Sequence, residues 1–323
     1  MQLSAPSTRQ AAHGKSAPGR PADNARPGRT ISFHAADGFA LAGTLFEGDG
    51  DGPLLLISSA TAVPRGLYAA FAQAAVEAGA RAALIYDYRG TGGSPAPKGW
   101  RKRIGMKDWA LLDFPAAAKA LDAAKPGHPM VGVGQSYGGQ ALGLSGFSDR
   151  FERYAMVAAM SGYFGGLDDR GARWRMLGVG VPVSLALGNT PRWLGIGEPI
   201  PGSVFRDWAR WCSMPDYFFD DPRGPETARY ADVRTPILAL GMTDDVWGTE
   251  RAIHALMRHY ANAPVELRFV SPEDAGGQPI GHLGFFRSRF AATLWPDLIG
   301  WLVEGKSATL GQGDPPQVSS YVE

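Results

Sequence analysis

A chain of 323 residues, 45% hydrophobic and 20% charged, has an ordinary globular composition and enough length to bury a large core. With 32 basic against 31 acidic residues the formal net charge is +1, so no field of one sign points to nucleic acid or to an anionic membrane surface. A lone Cys212 allows no internal disulfide, residues 1–28 lack the apolar stretch of a signal peptide, and no apolar run reaches transmembrane length, so a cytoplasmic protein without a membrane span is expected.

Residues 1–29, rich in Ala, Pro, Gly, Ser and Arg, read as a disordered leader, because such a composition buries too little surface to offset the entropy of ordering. The first β-type runs, 30–34 and 39–45, flank Asp37-Gly38, a strong hairpin signal. Apolar runs follow at 54–58, 82–86, 130–133, 154–159 and 236–240. Most are continuously hydrophobic, as strands buried on both faces of a parallel sheet are. In 265–270, Val265, Leu267 and Phe269 alternate with polar neighbours, as in a strand nearer the edge.

Helical stripes separate these runs. One covers 66–78, with Tyr68, Phe71 and Ala75 on a face. A second comprises Leu111, Phe114, Ala118 and Leu121, with a kink or restart expected at Pro115. The last comprises Phe290, Leu294, Leu298 and Trp301, interrupted by Pro296. Strand and helix in alternation after an antiparallel start predict an α/β, mostly parallel, doubly wound sheet. The stretch 162–231 breaks the rhythm with Trp174, Met176, Trp193, Trp208, Trp211, Met214, Tyr217, Phe218 and Phe219. It is expected to be a helical cap inserted between two parts of one core, 30–161 and 232–305, with 306–323 a flexible tail. Its rings either line an apolar pocket or simply form the insert's own core.

The chemistry starts at Gly134-Gln135-Ser136-Tyr137-Gly138, directly after the apolar run 130–133. A serine on a sharp strand-to-helix turn has its hydroxyl lifted clear of the sheet, and the glycines let the helix pack close. With 43 glycines in the chain the bare pattern is weak; the preceding strand and a helix opening at Gly139-Gln140-Ala141-Leu142 give it weight. A dinucleotide fingerprint fails on spacing, since Gly132, Gly134 and Gly138 are one residue too far apart.

A serine hydroxyl needs a base, and the base needs a carboxylate to hold its tautomer. Both are present in the required order: Asp244 and Asp245 after 236–240, then His282 in the loop after 265–270. The other histidines compete poorly. His13 lies in the leader, His34 in the first hairpin, His128 at the far end of the nucleophile strand, and His254 and His259 on a predicted helix over 250–259.

On these landmarks, together with Asp87-Tyr88-Arg89-Gly90-Thr91-Gly92-Gly93-Ser94, residues from about 30 to 304 resemble the α/β-hydrolase superfamily, in particular its capped, lipase- or serine-aminopeptidase-like members. The resemblance implies Ser136 as nucleophile, His282 as base and, by family spacing, Asp244 as the acid, with Asp245 left to cap the next helix or pair with a surface base. Many members carry His-Gly after the third strand, where this chain has Ser58-Ser59-Ala60-Thr61-Ala62. Alignment with that loop implies oxyanion amides from Ala60 and Tyr137, with Thr61 as the alternative to Ala60. Relatives acting through a carboxylate nucleophile are excluded by Ser136. The implied activity is hydrolysis of an ester or related acyl bond in a small, partly apolar substrate, with no metal or cofactor. An acyltransferase or peptidase with the same triad, or a non-catalytic binding protein on this fold, are the rival readings.

Overall fold

The computed structural model describes residues 28–313. The expected leader lies outside the described residues apart from 28 and 29, and Arg29 already opens the first strand. The first hairpin forms as its turn chemistry dictates: β1 (Arg29–His34) pairs antiparallel with β2 (Ala40–Glu47) across Asp37 and Gly38, whose φ is +85°. The buried apolar runs become β3 (Leu54–Ser58), β4 (Ala82–Tyr86), β5 (Met130–Gln135), β6 (Arg153–Val157), β7 (Ile237–Met242) and β8 (Val265–Val270). With a short β9 (Gln312–Gly313) they form one sheet in the order β1-β2-β4-β3-β5-β6-β7-β8-β9. Neighbours from β4 through β8 run parallel, while β1, β2 and β9 join antiparallel.

Alternate residues of each central strand feed opposite faces, so Leu54 and Leu56 enter one core and Leu55 and Ile57 the other. Helix Ala69–Glu77 returns the chain from β3 to β4, helix Phe114–Ala124 from β4 to β5, and helix Tyr137–Ser145 from β5 to β6. The strand order therefore reverses between β3 and β5, and the crevice beyond their carboxyl ends is where an open α/β sheet holds its ligand.

At Pro115 the helix restarts, with Phe114–Ala124 a new α-helical segment that holds the proline in its first turn. The chain is helical from Met106 to Ala124, and the wide turn Trp109–Asp113 just ahead of the proline takes up its missing N–H and its bulk. The expectation of a flexible tail from 306 needs correction as far as 313. Ala308 is buried, the Thr309 amide donates to Asp297 at 2.8 Å, and β9 adds to the sheet edge beyond β8.

The segment between β6 and β7 holds helices Val181–Leu187 and Gly202–Cys212. Six of its aromatics show three different environments. Trp211, Tyr217 and Phe218 are buried together, and Trp211 donates its indole N–H to Asp221 at 2.8 Å. Trp174 and Trp193 are 71% and 68% exposed. Trp208 is partly buried and packs on Trp247, outside the segment. Among the described residues no helix is long and apolar enough to cross a membrane.

The Asp87–Ser94 loop is knitted by its own polar groups. Asp87 accepts from the Arg65 and Gly93 amides at 2.9 and 2.8 Å, and Ser94 Oγ donates to the Asp87 carbonyl at 2.8 Å. Arg89, 2% exposed, donates from Nε to Asp113 at 2.7 Å and from Nη1 to Asp37 at 2.8 Å. Removing the cation strands one fully buried carboxylate and one largely buried one. Arg89→Met is therefore expected to cost about 3–5 kcal/mol in urea unfolding, whereas Arg29→Met, at an exposed pair with Glu47, should cost less than about 1 kcal/mol.

Candidate active site

Ser136 follows β5 directly and sits at φ +52°, ψ −115°, a conformation that an L-residue adopts only when its surroundings enforce it. Two close approaches do so. A Cβ on Gly134 would lie 2.2 Å from the Gly138 carbonyl carbon, and one on Gly138 would lie 2.1 Å from the Ser58 carbonyl oxygen. Only glycine at both places lets helix Tyr137–Ser145 start this close to the ends of β3 and β5. The Ser136 amide donates to the Val157 carbonyl at 2.9 Å, which fixes the turn to β6. Ala62 and Ala158, further non-glycine residues with positive φ, lie just beyond β3 and β6. Three of the four non-glycine residues with positive φ among the described residues thus lie at the carboxyl edge of the sheet, the fourth being Tyr217 of the inserted segment.

His282 Nε2 lies 3.1 Å from Ser136 Oγ, and its Nδ1 lies 2.7 Å from Asp245 Oδ2. The structure brings Ser136 and His282 together, whereas Asp244, expected beside the imidazole, does not touch it and Asp245 stands there instead. β7 ends at Met242, and the turn that follows is closed by the Asp245 amide donating to the Met242 carbonyl at 3.1 Å, with Asp245 as its buried acid. Asp245 is 4% exposed and also accepts from the Trp247 amide at 2.8 Å. Burial pushes the Asp245 carboxyl up, but His282 and the amides of Gly248 and Trp247 outweigh it and hold the group below its ordinary value. Its contribution to stability is therefore complete above an unfolded carboxylate's pKa, roughly 4, and is lost as the pH falls through the lower folded value. Asp244 instead accepts from the amides of Ile280 and Gly281 at 2.7 and 2.9 Å, pinning the loop that presents His282.

The Ala60 amide is not free to meet a substrate oxygen, because it donates to the Tyr68 hydroxyl at 2.9 Å. That expectation is corrected: the phenol eight residues on has taken the donor. Tyr137 opens the helix after the elbow, where the first amides have no intrahelical acceptor. Thr61 follows Ala60 on the same loop and is half-buried. Next to His282 stands Trp247, with ring centroids 6.4 Å apart, and Trp208 of the inserted segment lies 5.6 Å further on. Sequence reasoning missed Trp247; its position three residues after an acid on a strand-end turn was the available signal. A cavity of about 180 Å³ between residues 103–108 and 207–227 is lined by Trp211 and Phe218, and by none of Ser136, Asp245 and His282.

The family model described as the Alpha/beta hydrolase family matches residues 54–302, a span from β3 to the last helical turn of the core. The chain belongs to that family, and this membership supports hydrolase activity. Similar solved structures include an α/β-hydrolase from Penicillium sp. sh18, 18% identical, with a TM-score of 0.56 and coverage of 86% of this chain and 100% of that one. An esterase domain from Rhodothermus marinus is 18% identical, with a TM-score of 0.53 over 85% of this chain and 97% of that one. An esterase of Pyrococcus furiosus is 17% identical, with a TM-score of 0.55 over 87% and 94%. At these identities the likeness is one of fold. No curated protein matches the chain.

The two acids separate experimentally. Asp244→Ala removes two charge-assisted bonds to the 280–281 backbone, so those amides should exchange hydrogen about ten- to a hundredfold faster, as for a local loss of about 1.5–3 kcal/mol. Hydrogen-exchange mass spectrometry of the peptide spanning Ile280 checks this. Equal protection in the wild type and the variant would remove Asp244 from its pinning role.

Proposed function

We propose that the protein is a serine hydrolase that cleaves a carboxylic ester or related acyl bond of a small, partly apolar substrate. The observation carrying this reading is the unbroken chain from Ser136 Oγ to His282 Nε2 at 3.1 Å and from His282 Nδ1 to Asp245 at 2.7 Å, with the serine on a strained elbow. Ser136 Oγ attacks the carbonyl carbon as His282 Nε2 takes its proton. The oxyanion that forms is met by the Tyr137 amide and, with Ala60 engaged by Tyr68, by the Thr61 amide. Each such donor is typically worth about 3 kcal/mol. His282 then returns the proton to the departing alkoxide, leaving an acyl group on Ser136. A water activated by the same imidazole attacks that ester and regenerates the serine. Asp245 keeps Nδ1 protonated and stabilises the imidazolium in both halves, without itself taking the proton.

The segment 162–231 serves as the cap in this reading, and the line from His282 through Trp247 to Trp208 forms one wall of the acyl site. Trp211, sealed against Asp221 and Phe218, belongs to the cap's own core.

Fluorophosphonate labelling tests the nucleophile. Ser136→Ala should abolish labelling and ester hydrolysis with little change in Tm, and persistent labelling at another serine would overturn the assignment. Asp245→Asn should lower kcat by about 10³–10⁴-fold, while Asp244→Asn stays within about tenfold of wild type. The reverse order would restore Asp244 as the acid.

The cap reading is tested with a series of acyl esters. Each methylene buried against the Trp208 wall should add up to about 0.8 kcal/mol to specificity until the site is full. Trp208→Ala should flatten that gain, whereas Trp211→Ala should lower Tm and leave the chain-length profile intact. A Trp208→Ala profile identical to wild type would place the acyl site elsewhere.

A further inference from the structure

Gln135, the residue before the nucleophile, has a fully buried side chain with two directed hydrogen bonds. Its Nε2 donates to the His282 carbonyl at 2.9 Å. Its Oε1 accepts from the Tyr68 hydroxyl at 2.7 Å, and that hydroxyl in turn accepts from the Ala60 amide at 2.9 Å. No direction in this relay is ambiguous. A backbone N–H can only donate, so the phenol oxygen receives it and its proton must go to Gln135. A carbonyl can only accept, so the amide nitrogen of Gln135 must face His282. Tyr68 also packs edge-to-face with Phe286, four residues beyond His282, with centroids 5.0 Å apart.

The relay joins three segments far apart in sequence: the loop after β3, the elbow strand β5 and the loop carrying the base. From these observations we propose that Gln135 is a positioning residue, which through Tyr68 and the His282 carbonyl sets the loop after β3 and the imidazole in register with Ser136. The inference rests on the reading of Ser136 and His282 as nucleophile and base, and deepens it. Being fully buried, Gln135 touches no substrate and acts only through its neighbours. The position requires one acceptor and one donor on a side chain of this length. A glutamate supplies only the acceptor while ionised, and a methionine of similar volume supplies neither. The relay also fixes which amide of the loop is consumed: Ala60 is held by Tyr68, which leaves the next amide, Thr61, as the loop's donor in the proposed mechanism. Released from the phenol, the loop has no such selection.

The test compares Gln135→Met, Gln135→Glu and Tyr68→Phe by the second-order rate of fluorophosphonate labelling at Ser136, at a temperature well below every variant's Tm. Ester kinetics are read in parallel. Gln135→Met should label about 10- to 100-fold more slowly, the scale of a small misplacement relayed to reacting groups, with kcat falling and KM nearly unchanged. Tyr68→Phe, which removes one oxygen atom, should show part of that loss. The double variant should be slower than Gln135→Met by less than the product of the single effects, since both cut one relay. Gln135→Glu should approach the wild-type rate as the pH is lowered, with both proteins measured at each pH, because a protonated carboxyl again donates to the His282 carbonyl. Labelling of all three variants at the wild-type rate, with Tm alone reduced, would make the relay merely structural and overturn the proposal. Absence of labelling at Ser136 in the wild type would instead overturn the serine-hydrolase reading on which it rests. Should Gln135→Met fail to fold, Tyr68→Phe and the pH dependence of Gln135→Glu decide the matter alone.

Discussion

Contact between the Gly138 backbone and the carbonyl of Ser58 sets the geometry of everything around it. With no room for even a methyl group between them, the helix that starts at Tyr137 is drawn against the end of β3, and the residue joining it to β5 is forced to positive φ. That residue is Ser136. The same contact brings the loop after β3 beside the helix's first amides, so the proposed nucleophile and its proposed donors lie within one small volume. The buried apolar strands on either side supply the rigidity that keeps the strained turn from relaxing.

Much of this was legible in the sequence because it depends on local pattern. Continuous apolar runs gave the parallel strands, and the glycines around Ser136 together with the strand before it gave the elbow. His282 followed from its place in the loop after β8. What was not legible depended on a shift of a single residue or on contacts across the fold. The two adjacent acids differ only in which one faces inward, and that depends on how the turn after Met242 closes, with the Asp245 amide on the Met242 carbonyl. The fate of the Ala60 amide was hidden because its acceptor is the tip of a side chain whose ring reads as ordinary helix-face packing. Residues 306–313 looked like polar tail, yet a few backbone bonds and one buried alanine hold them to the sheet edge. In the inserted segment composition showed many aromatics without showing which were core. Partners such as Asp221 for Trp211 and Trp247 for Trp208 decide that, and they lie at sequence distances no periodicity encodes.

The carboxylates near the centre divide the work by environment rather than by type. Asp245 is buried and meets the imidazole; Asp244, partly buried, meets backbone amides; Asp113, wholly buried, meets Arg89. Each is matched to donors that satisfy it. The one most removed from water without a guanidinium is the one whose partner, a histidine, can exchange a proton.

Trp247 belongs to two structures at once. Its amide holds the Asp245 carboxylate, its ring stands by His282, and its indole N–H donates at 3.0 Å to Asp169, at the root of the inserted segment. Swinging that segment outward about its root would therefore either break the indole bond or pull on the turn that carries the acid. The root of the inserted segment and the seat of the Asp245 carboxylate are thus tied together through a single residue.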